Sequence, residues 1–348
     1  MEIQNNISLK KYNSFGIDVK AEYFAAFKNT KELSELLEYG ESFSTQKHKP
    51  YLILGGGSNI LFTHHVAGLV LKNEIPGIKI EKEDADYVYI KAGAGENWHQ
   101  LVQYCIDRNF AGMENLSLIP GNVGATPIQN IGAYGVEVKD VFYELEAYHK
   151  EEKKLVKFGL KDCEFGYRES IFKRRYKGEF VITSVTFRLP KVPRFNISYG
   201  AINLELEAMA IKEVNIQAIS QAVINIRSSK LPNPAEIGNA GSFFKNPEID
   251  AASFQKLQAK FPAIAGYTLP DKNIKLAAGW LIENSGPADG ISWKGYRNGD
   301  AGCHNKQALV LVNYGNATGN EIFNLSEEII KSVTKKFEVV LEREVNIV

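Results

Sequence analysis

The amino-acid sequence predicts a mixed α and β protein of three units, and three observations lead there. At 348 residues the chain has room for two or three domains of roughly 100–200 residues each. Its 44% hydrophobic and 24% charged residues are the balance of a globular chain with large cores. Period-2 stretches alternate with 3.6-period stretches along its length, so neither strands nor helices stand alone.

Taken in order, VKAEYFAAF (19–27) is rich in aromatic and branched residues and reads as a strand. NTKELSELLEYG (29–40) reads as a helix, opened by Asn29–Thr30 and closed by Gly40. YLILGGGSNILF is an apolar strand, a glycine turn and a second apolar stretch. YVYIKAGAGENWHQLVQYCIDRNF is an alternating strand, a Gly turn and a helix. ENLSLIPGNVGATPIQNIGAYGVEV is too long and too poor in charge for an ordinary surface loop. Such loops are functional or disordered, and the interleaved Ile and Tyr argue for function. VFYELEAYH and FVITSVTFRL are strands, and INIRSSKLPNPAEIGN, with two prolines, reads as a boundary. Helices follow near Ala251–Lys260 and Lys275–Asn284, then a strand in ALVLVNYG and a long helix over Gly319–Phe337. The tail VVLEREVNIV alternates as a strand does.

Several function classes drop out early. Lys plus Arg and Asp plus Glu number 41 each, whereas a general nucleic-acid binder carries a basic excess. The start MEIQNNISLKKYNSFGIDVK lacks the apolar core of a signal peptide. No run reaches the roughly 18 apolar residues of a membrane span. The expectation is a cytoplasmic protein without membrane or nucleic-acid partners. Cys105, Cys163 and Cys303 lie far apart, as buried or idle thiols do. His64–His65 has no ligand at metal spacing, so it reads as loop and no metal is expected. Trp98, His99 and Trp280 are expected to pack rather than react.

Two uncharged glycine-rich loops remain. Gly55, Gly56, Gly57, Ser58 and Asn59 follow the apolar YLIL, and three glycines let backbone N–H groups approach a ligand such as a pyrophosphate. The stretch is neither GxxxxGK[ST] nor GxGxxG, and strand rather than helix follows it. A plain tight turn is an equal reading of this motif alone. The second loop, PGNVGATPIQNIGAYG, shifts the balance toward a dinucleotide held largely by backbone hydrogen bonds.

The stretch GNAGSFFKNP sets Ser242 among Gly238, Asn239 and Gly241. GxSxG is absent, and His304 is the only histidine in the same expected domain, so a hydrolase reading is weak. A helix N-cap is the bland alternative. Arg168 in GYRES suits carboxylate gripping through two parallel hydrogen bonds, or a surface salt bridge with Glu164 or Glu169. In LEREV, Glu342, Glu344 and Asn346 share one strand face by alternation.

Together, ILGGGSNILF, IPGNVGATPIQNIGAYGVE, CEFGYRESIFK, GNAGSFFKNP, KLAAGWLIE and LEREV resemble, in order, the UDP-N-acetylenolpyruvoylglucosamine reductase family. The match runs from Leu54 to Val345. The resemblance implies an α+β fold: a two-subdomain FAD-binding fold of the vanillyl-alcohol-oxidase type plus a third, substrate domain. The expected boundaries are 1–72 and 73–230 for the FAD-binding subdomains and 231–334 for the substrate domain, with a returning strand at 335–348. It implies FAD bound non-covalently, NADPH as co-substrate, and a UDP-sugar enolpyruvyl ether reduced in peptidoglycan precursor synthesis by a monomer.

Residue by residue, it implies FAD contacts from Gly55, Gly56, Gly57, Ser58, Asn59, Pro120, Gly121, Gly124, Ala125, Gln129, Asn130, Gly132, Ala133, Tyr134 and Gly135. Arg168 would stabilise charge, Ser242 would give a proton to C2, and Glu344 would assist the enolate. Tyr199, Lys230, Asn246 and Gln307 would bind substrate, Tyr199 from the tyrosine loop SYGAINLEL of the longer family type. The tail departs from the family, which has Pro where Arg343 stands and often Arg where Asn346 stands. Other readings are an FAD-dependent oxidase on the same fold and a nucleotide-sugar-binding protein without redox chemistry.

Overall fold

The computed structural model describes residues 2–42 and 51–348. The chain divides into two compact units. The first holds residues up to Ile7, Lys20–Gly57 and Val66–Ser229; the second holds Ser8–Val19, Ser58–His65 and Lys230–Val348. The segments 8–19 and 58–65 pack with the C-terminal unit.

In the first unit a four-stranded sheet runs in the order Gln4–Ser8, Lys20–Phe27, Val66–Asn73, Tyr51–Leu54. The last three pair in parallel. The helix Thr30–Ser42 buries Leu33, Leu36 and Leu37 with Ala25, Phe27, Leu69 and Leu71. It runs through Gly40, where the sequence pointed to an end. One helical glycine costs only about 1 kcal/mol, and tertiary burial of a leucine face carries a helix past it.

A five-stranded antiparallel sheet follows, ordered Lys154–Gly159, Phe142–His149, Phe180–Pro190, Tyr87–Gly93, Ile78–Glu83. The helix Trp98–Ile106, capped by the Asn97 side chain, closes its core. Trp98 packs as expected: it is fully buried, lies edge-on to Phe187, and donates from Nε1 to the Leu116 carbonyl at 3.0 Å. The three cysteines are buried free thiols, and burial pushes each to about 12.

Two helices were missed by the sequence reading. Gly200–Ala208 occupies the tyrosine-loop segment, and Ile216–Lys230 runs through INIRSSK before the prolines stop it. They hold each other through Ile202, Leu206, Ile219, Ala222, Val223 and Ile226. Neither has a strong polar-apolar division in sequence, because the partner of each is the other.

The second unit has an antiparallel sheet ordered Gly238–Ser242, Val310–Asn313, Ala301–Cys303, Arg297–Asn298. The helix Gly319–Phe337 starts at the expected residue, set by a Thr318/Glu321 capping box, and buries Ile322, Leu325, Ile329 and Val333. The expected helix at 275–284 is a strand, Ile274–Leu276, followed by a shorter helix, Ala278–Glu283. Asn246 decides that start, because its Oδ1 accepts from the Ala278 N–H at 3.0 Å. In the tail, Asn346–Ile347 is strand, paired in parallel with Ile60–Leu61.

Candidate active site

In the first unit the two glycine loops touch. A Cβ on Gly56 would lie 2.7 Å from Asn122 Oδ1 and 2.8 Å from the Gly121 Cα, so only glycine permits this approach. Asn122 fixes the second loop by donating to the Gly95 carbonyl at 2.7 Å. Trp98 N–H donates to the Gly121 carbonyl, and Gly124 N–H to that of Ala94. Lys72 Nζ donates to the Gly55 carbonyl at 2.7 Å, and burial draws its pKa down. Bare backbone without side chains is what a dinucleotide diphosphate requires, so the residues present fit FAD.

The same loop ends in a hairpin. Gly132 pairs with Glu137 and Ala133 with Val136, leaving a two-residue turn. Tyr134 and Gly135 both have positive φ, 51° and 81°, as a type I′ turn demands. Asn130 is fully buried, with Nδ2 bonded to Glu137 and the Gly166 carbonyl and Oδ1 to the Lys139 N–H. Its side chain is therefore spent within the protein, and contact with a cofactor is left to its backbone.

Arg168 meets this loop. Nη2 donates to the Gly132 carbonyl at 2.7 Å and Nη1 to the Asn130 carbonyl at 3.4 Å. Glu164, a candidate salt-bridge partner in the sequence, pairs with Arg174. Gly166 and Glu169 exchange backbone hydrogen bonds across Tyr167 and Arg168. Arg168 has φ 52°, a position that turns of this kind give to glycine. A non-glycine residue held there stores roughly 1–3 kcal/mol, a cost that clusters at functional sites.

Tyr199 stands 51% exposed at the start of the helix Gly200–Ala208. Its ring meets that of Tyr134 edge-on at 5.3 Å. Behind Tyr134 lies Arg227, which the sequence reading passed over. Arg227 Nε donates to the Leu118 carbonyl at 3.3 Å, and its positive charge acts on the Tyr134 hydroxyl. Burial raises the Tyr134 pKa and lowers that of Arg227. Leu118 N–H donates to His99 Nδ1 at 3.0 Å, and burial, with Arg227 nearby, lowers the His99 pKa. The only sequence signal for Arg227 was a cation inside an otherwise apolar helical stripe.

In the second unit Ser242 ends a strand and is exposed. It is no helix N-cap. Asn239 pairs with Val312 but Ser242 with Val310, so the strand carries an extra residue. Such a bulge re-aims the side chain after it. Gly241 takes the strain at φ 70°, with nothing within 4 Å of where a Cβ would stand. Asn239, 2% exposed, accepts from the Gly241 N–H and donates to the Pro232 and Ile237 carbonyls. The GNAG stretch is a device that locks the bulge.

Glu344 lies on the neighbouring segment. Its N–H donates to the Phe243 carbonyl, and the Lys245 N–H donates to the Glu342 carbonyl, both at 2.9 Å. Asn59 Nδ2 donates to the Glu344 carbonyl at 3.2 Å, and Asn346 Nδ2 to that of Asn59 at 2.9 Å. The structure thus brings Ser242, Glu344 and Asn59 onto adjoining segments. Asn246 and Gln307 meet around the start of the helix Ala278–Glu283, Gln307 Oε1 lying 2.8 Å from where a Gly279 Cβ would stand. Lys230 is exposed at the last turn of its helix. His304 is buried in the same unit, and burial lowers its pKa. Among the described residues no His, Cys, Asp or Glu cluster is placed to hold a metal, and no helix is long and apolar enough to cross a membrane.

Parallel strands, close glycine loops and an antiparallel sheet define the class, an oxidoreductase with an FAD-binding domain. Residues 21–156 match the family model of an FAD binding domain. Residues 233–348 match that of the C-terminal domain of UDP-N-acetylenolpyruvoylglucosamine reductase. Relatives of that name are 49% identical in Flavobacterium johnsoniae and 49% in Amoebophilus asiaticus, each match covering 100% of both chains. One from Pseudomonas syringae pv. tomato is 46% identical over 100% of this chain and 99% of its own. The chain belongs to the UDP-N-acetylenolpyruvoylglucosamine reductase family. The crystal structure of UDP-N-acetylenolpyruvylglucosamine reductase from Thermus caldophilus shares the fold, with a TM-score of 0.67 at 22% identity, covering 100% of this chain and 99% of that one.

Proposed function

We propose that this chain reduces the enolpyruvyl ether of UDP-N-acetylglucosamine to the lactyl ether with NADPH, using Arg168, Ser242 and Glu344. FAD, held by the glycine loops of the first unit, would supply the transfer of hydride from NADPH to C3 of the enolpyruvyl group. The remaining work falls to the chain. Negative charge develops at C2 and its carboxylate, and needs donors already in place. Arg168 supplies them, its guanidinium steadied on the Gly132 and Asn130 carbonyls. Ser242 gives its hydroxyl proton to C2, and Glu344, acting as a neutral acid, donates a hydrogen bond to the developing enolate. Lys230, Asn246 and Tyr199 take the diphosphate, with Tyr134 and Gln307 as further contacts. Arg227, whose Nε donates to the Leu118 carbonyl beside Tyr134, adds positive charge on the first unit.

The observation that supports this reading best is the locked bulge, which exposes a serine on a strand hydrogen-bonded to the Glu344 segment. The 1–72 and 73–230 division of the FAD-binding part, the substrate domain at 231–334, a monomeric state and a cytoplasmic location belong to the same proposal. The test is anaerobic: the purified protein is yellow, bleaches with NADPH, and recovers colour on addition of the enolpyruvyl substrate. A colourless protein, or bleaching without recovery, refutes it.

A further inference from the structure

Arg343 is tethered at three points to the helix Gly319–Phe337. Nε donates to Ser326 Oγ at 2.8 Å, Nη2 pairs with Glu327, and the guanidinium carbon sits 4.6 Å from the centre of the Phe323 ring. Residues 323, 326 and 327 are three and four apart, so they form one face of that helix. A planar guanidinium that bonds through two nitrogens while stacking on a ring fixes direction as well as distance.

The backbone explains what this tether controls. Arg343 stands opposite Phe244. The hydrogen bonds flanking the pair belong to its neighbours, Lys245 N–H to the Glu342 carbonyl and Glu344 N–H to the Phe243 carbonyl. Two bonds of this kind hold the segment here, the parallel pairing of Asn346–Ile347 with Ile60–Leu61 holds it further on, and a slip of one residue between them turns the intervening side chains to the opposite face. In extended chain, consecutive side chains point opposite ways. Seating Arg343 on the helix therefore turns Glu344 away from it. On the far side, Asn59 and Asn346 tie the same segment through the Glu344 and Asn59 carbonyls.

We infer that Arg343 is a positioning residue for Glu344: its anchorage on Phe323, Ser326 and Glu327, together with the strand pairing at Asn346–Ile347, sets the register of the segment between them and the direction of the Glu344 carboxyl group. The inference rests on the reading that Glu344 acts when the enolpyruvyl substrate is reduced.

The test uses the full-length, FAD-loaded protein, timing NADPH-driven bleaching and substrate-driven recovery separately. Arg343→Met keeps chain length and stacking but removes the charge. It leaves FAD content and bleaching within about twofold and slows recovery on the order of tenfold or more, since misplacement by about 1 Å costs up to about a hundredfold. The loss falls in kcat, with KM little changed. Arg343→Lys restores part of the rate. Adding Glu327→Gln to Arg343→Met costs nothing further, because both act through one link. Amide exchange at Glu344 and Lys245 quickens in Arg343→Met. Unchanged recovery, or equal slowing of both steps with loss of FAD, overturns the inference. Glu344→Gln separates the two ideas. If it slows recovery while Arg343→Met does not, only the positioning role falls; if it leaves recovery untouched, the role of Glu344 falls first.

Discussion

The two units hold their candidate residues by different means. In the first, non-glycine residues share the unusual backbone with glycines: Leu118, Asn130, Tyr134 and Arg168 have positive φ alongside Gly57, Gly121 and Gly135. In the second, Gly241 takes the left-handed position beside Ser242, and hydrogen-bonded segments hold the rest. The difference follows from what each part must present. Loops that offer bare backbone to a diphosphate need sharp turns, and turns made by Tyr and Arg place a side chain where glycine has none. A proton donor needs one hydroxyl aimed in one direction, which a bulge in a fixed sheet provides.

Substitutions can break this comparison, beginning with the largest effect. Ser242→Ala leaves bleaching by NADPH near normal and slows recovery with substrate by roughly 10²–10⁴-fold, the contribution of a positioned acid. Equal slowing of both steps would show that the serine shapes the site instead of donating. Gly56→Ala comes next. Its methyl runs into Gly121 and Asn122, so the purified protein carries little FAD, read from the 450 nm to 280 nm absorbance ratio on the order of a tenth of normal. Full FAD content would mean that the loops part without cost.

Gly241→Ala meets open space and pays only for its φ, about 1 kcal/mol in chemical denaturation, with FAD content intact. A larger loss would mean that the bulge region is packed more tightly than its geometry shows. The smallest effect concerns His99. Burial lowers its folded-state pKa below the usual 6.5, so the unfolded chain binds the proton more readily. Stability contributed by neutral His99 is present above about pH 6.5 and declines as pH falls below it. His99→Gln, which keeps an acceptor for the Leu118 N–H, flattens the pH dependence of unfolding between about pH 5 and 6.5. An unchanged slope would assign the acid sensitivity elsewhere.

Particular elements show where sequence reasoning reached. The helix Gly319–Phe337 was legible to the residue, because Thr318 and Glu321 cap it and its apolar stripe is regular. The glycine loops were legible as loops, since runs of glycine make tight turns or admit close backbone contact. The helices at Gly200–Ala208 and Ile216–Lys230 were not, because they bury residues against each other. Ser242 read equally well as an N-cap, because a bulge depends on the register of a strand some seventy residues away. Arg227 was passed over, and Arg343 stood out only as a departure from the family, for the same reason: a lone arginine shows its purpose only with its partners.

The sequence by itself determined the alternation of strands and helices, the two glycine loops and the membership of a reductase family, because periodicity, caps and ordered motifs are local properties of a chain. The tertiary structure decided which side chains meet: Gly56 against Gly121, Arg168 on the Gly132 carbonyl, Ser242 on a bulge beside the Glu344 segment. Those meetings join residues dozens to hundreds of positions apart, and their geometry is set by packing and hydrogen bonding between segments, which local patterns do not encode.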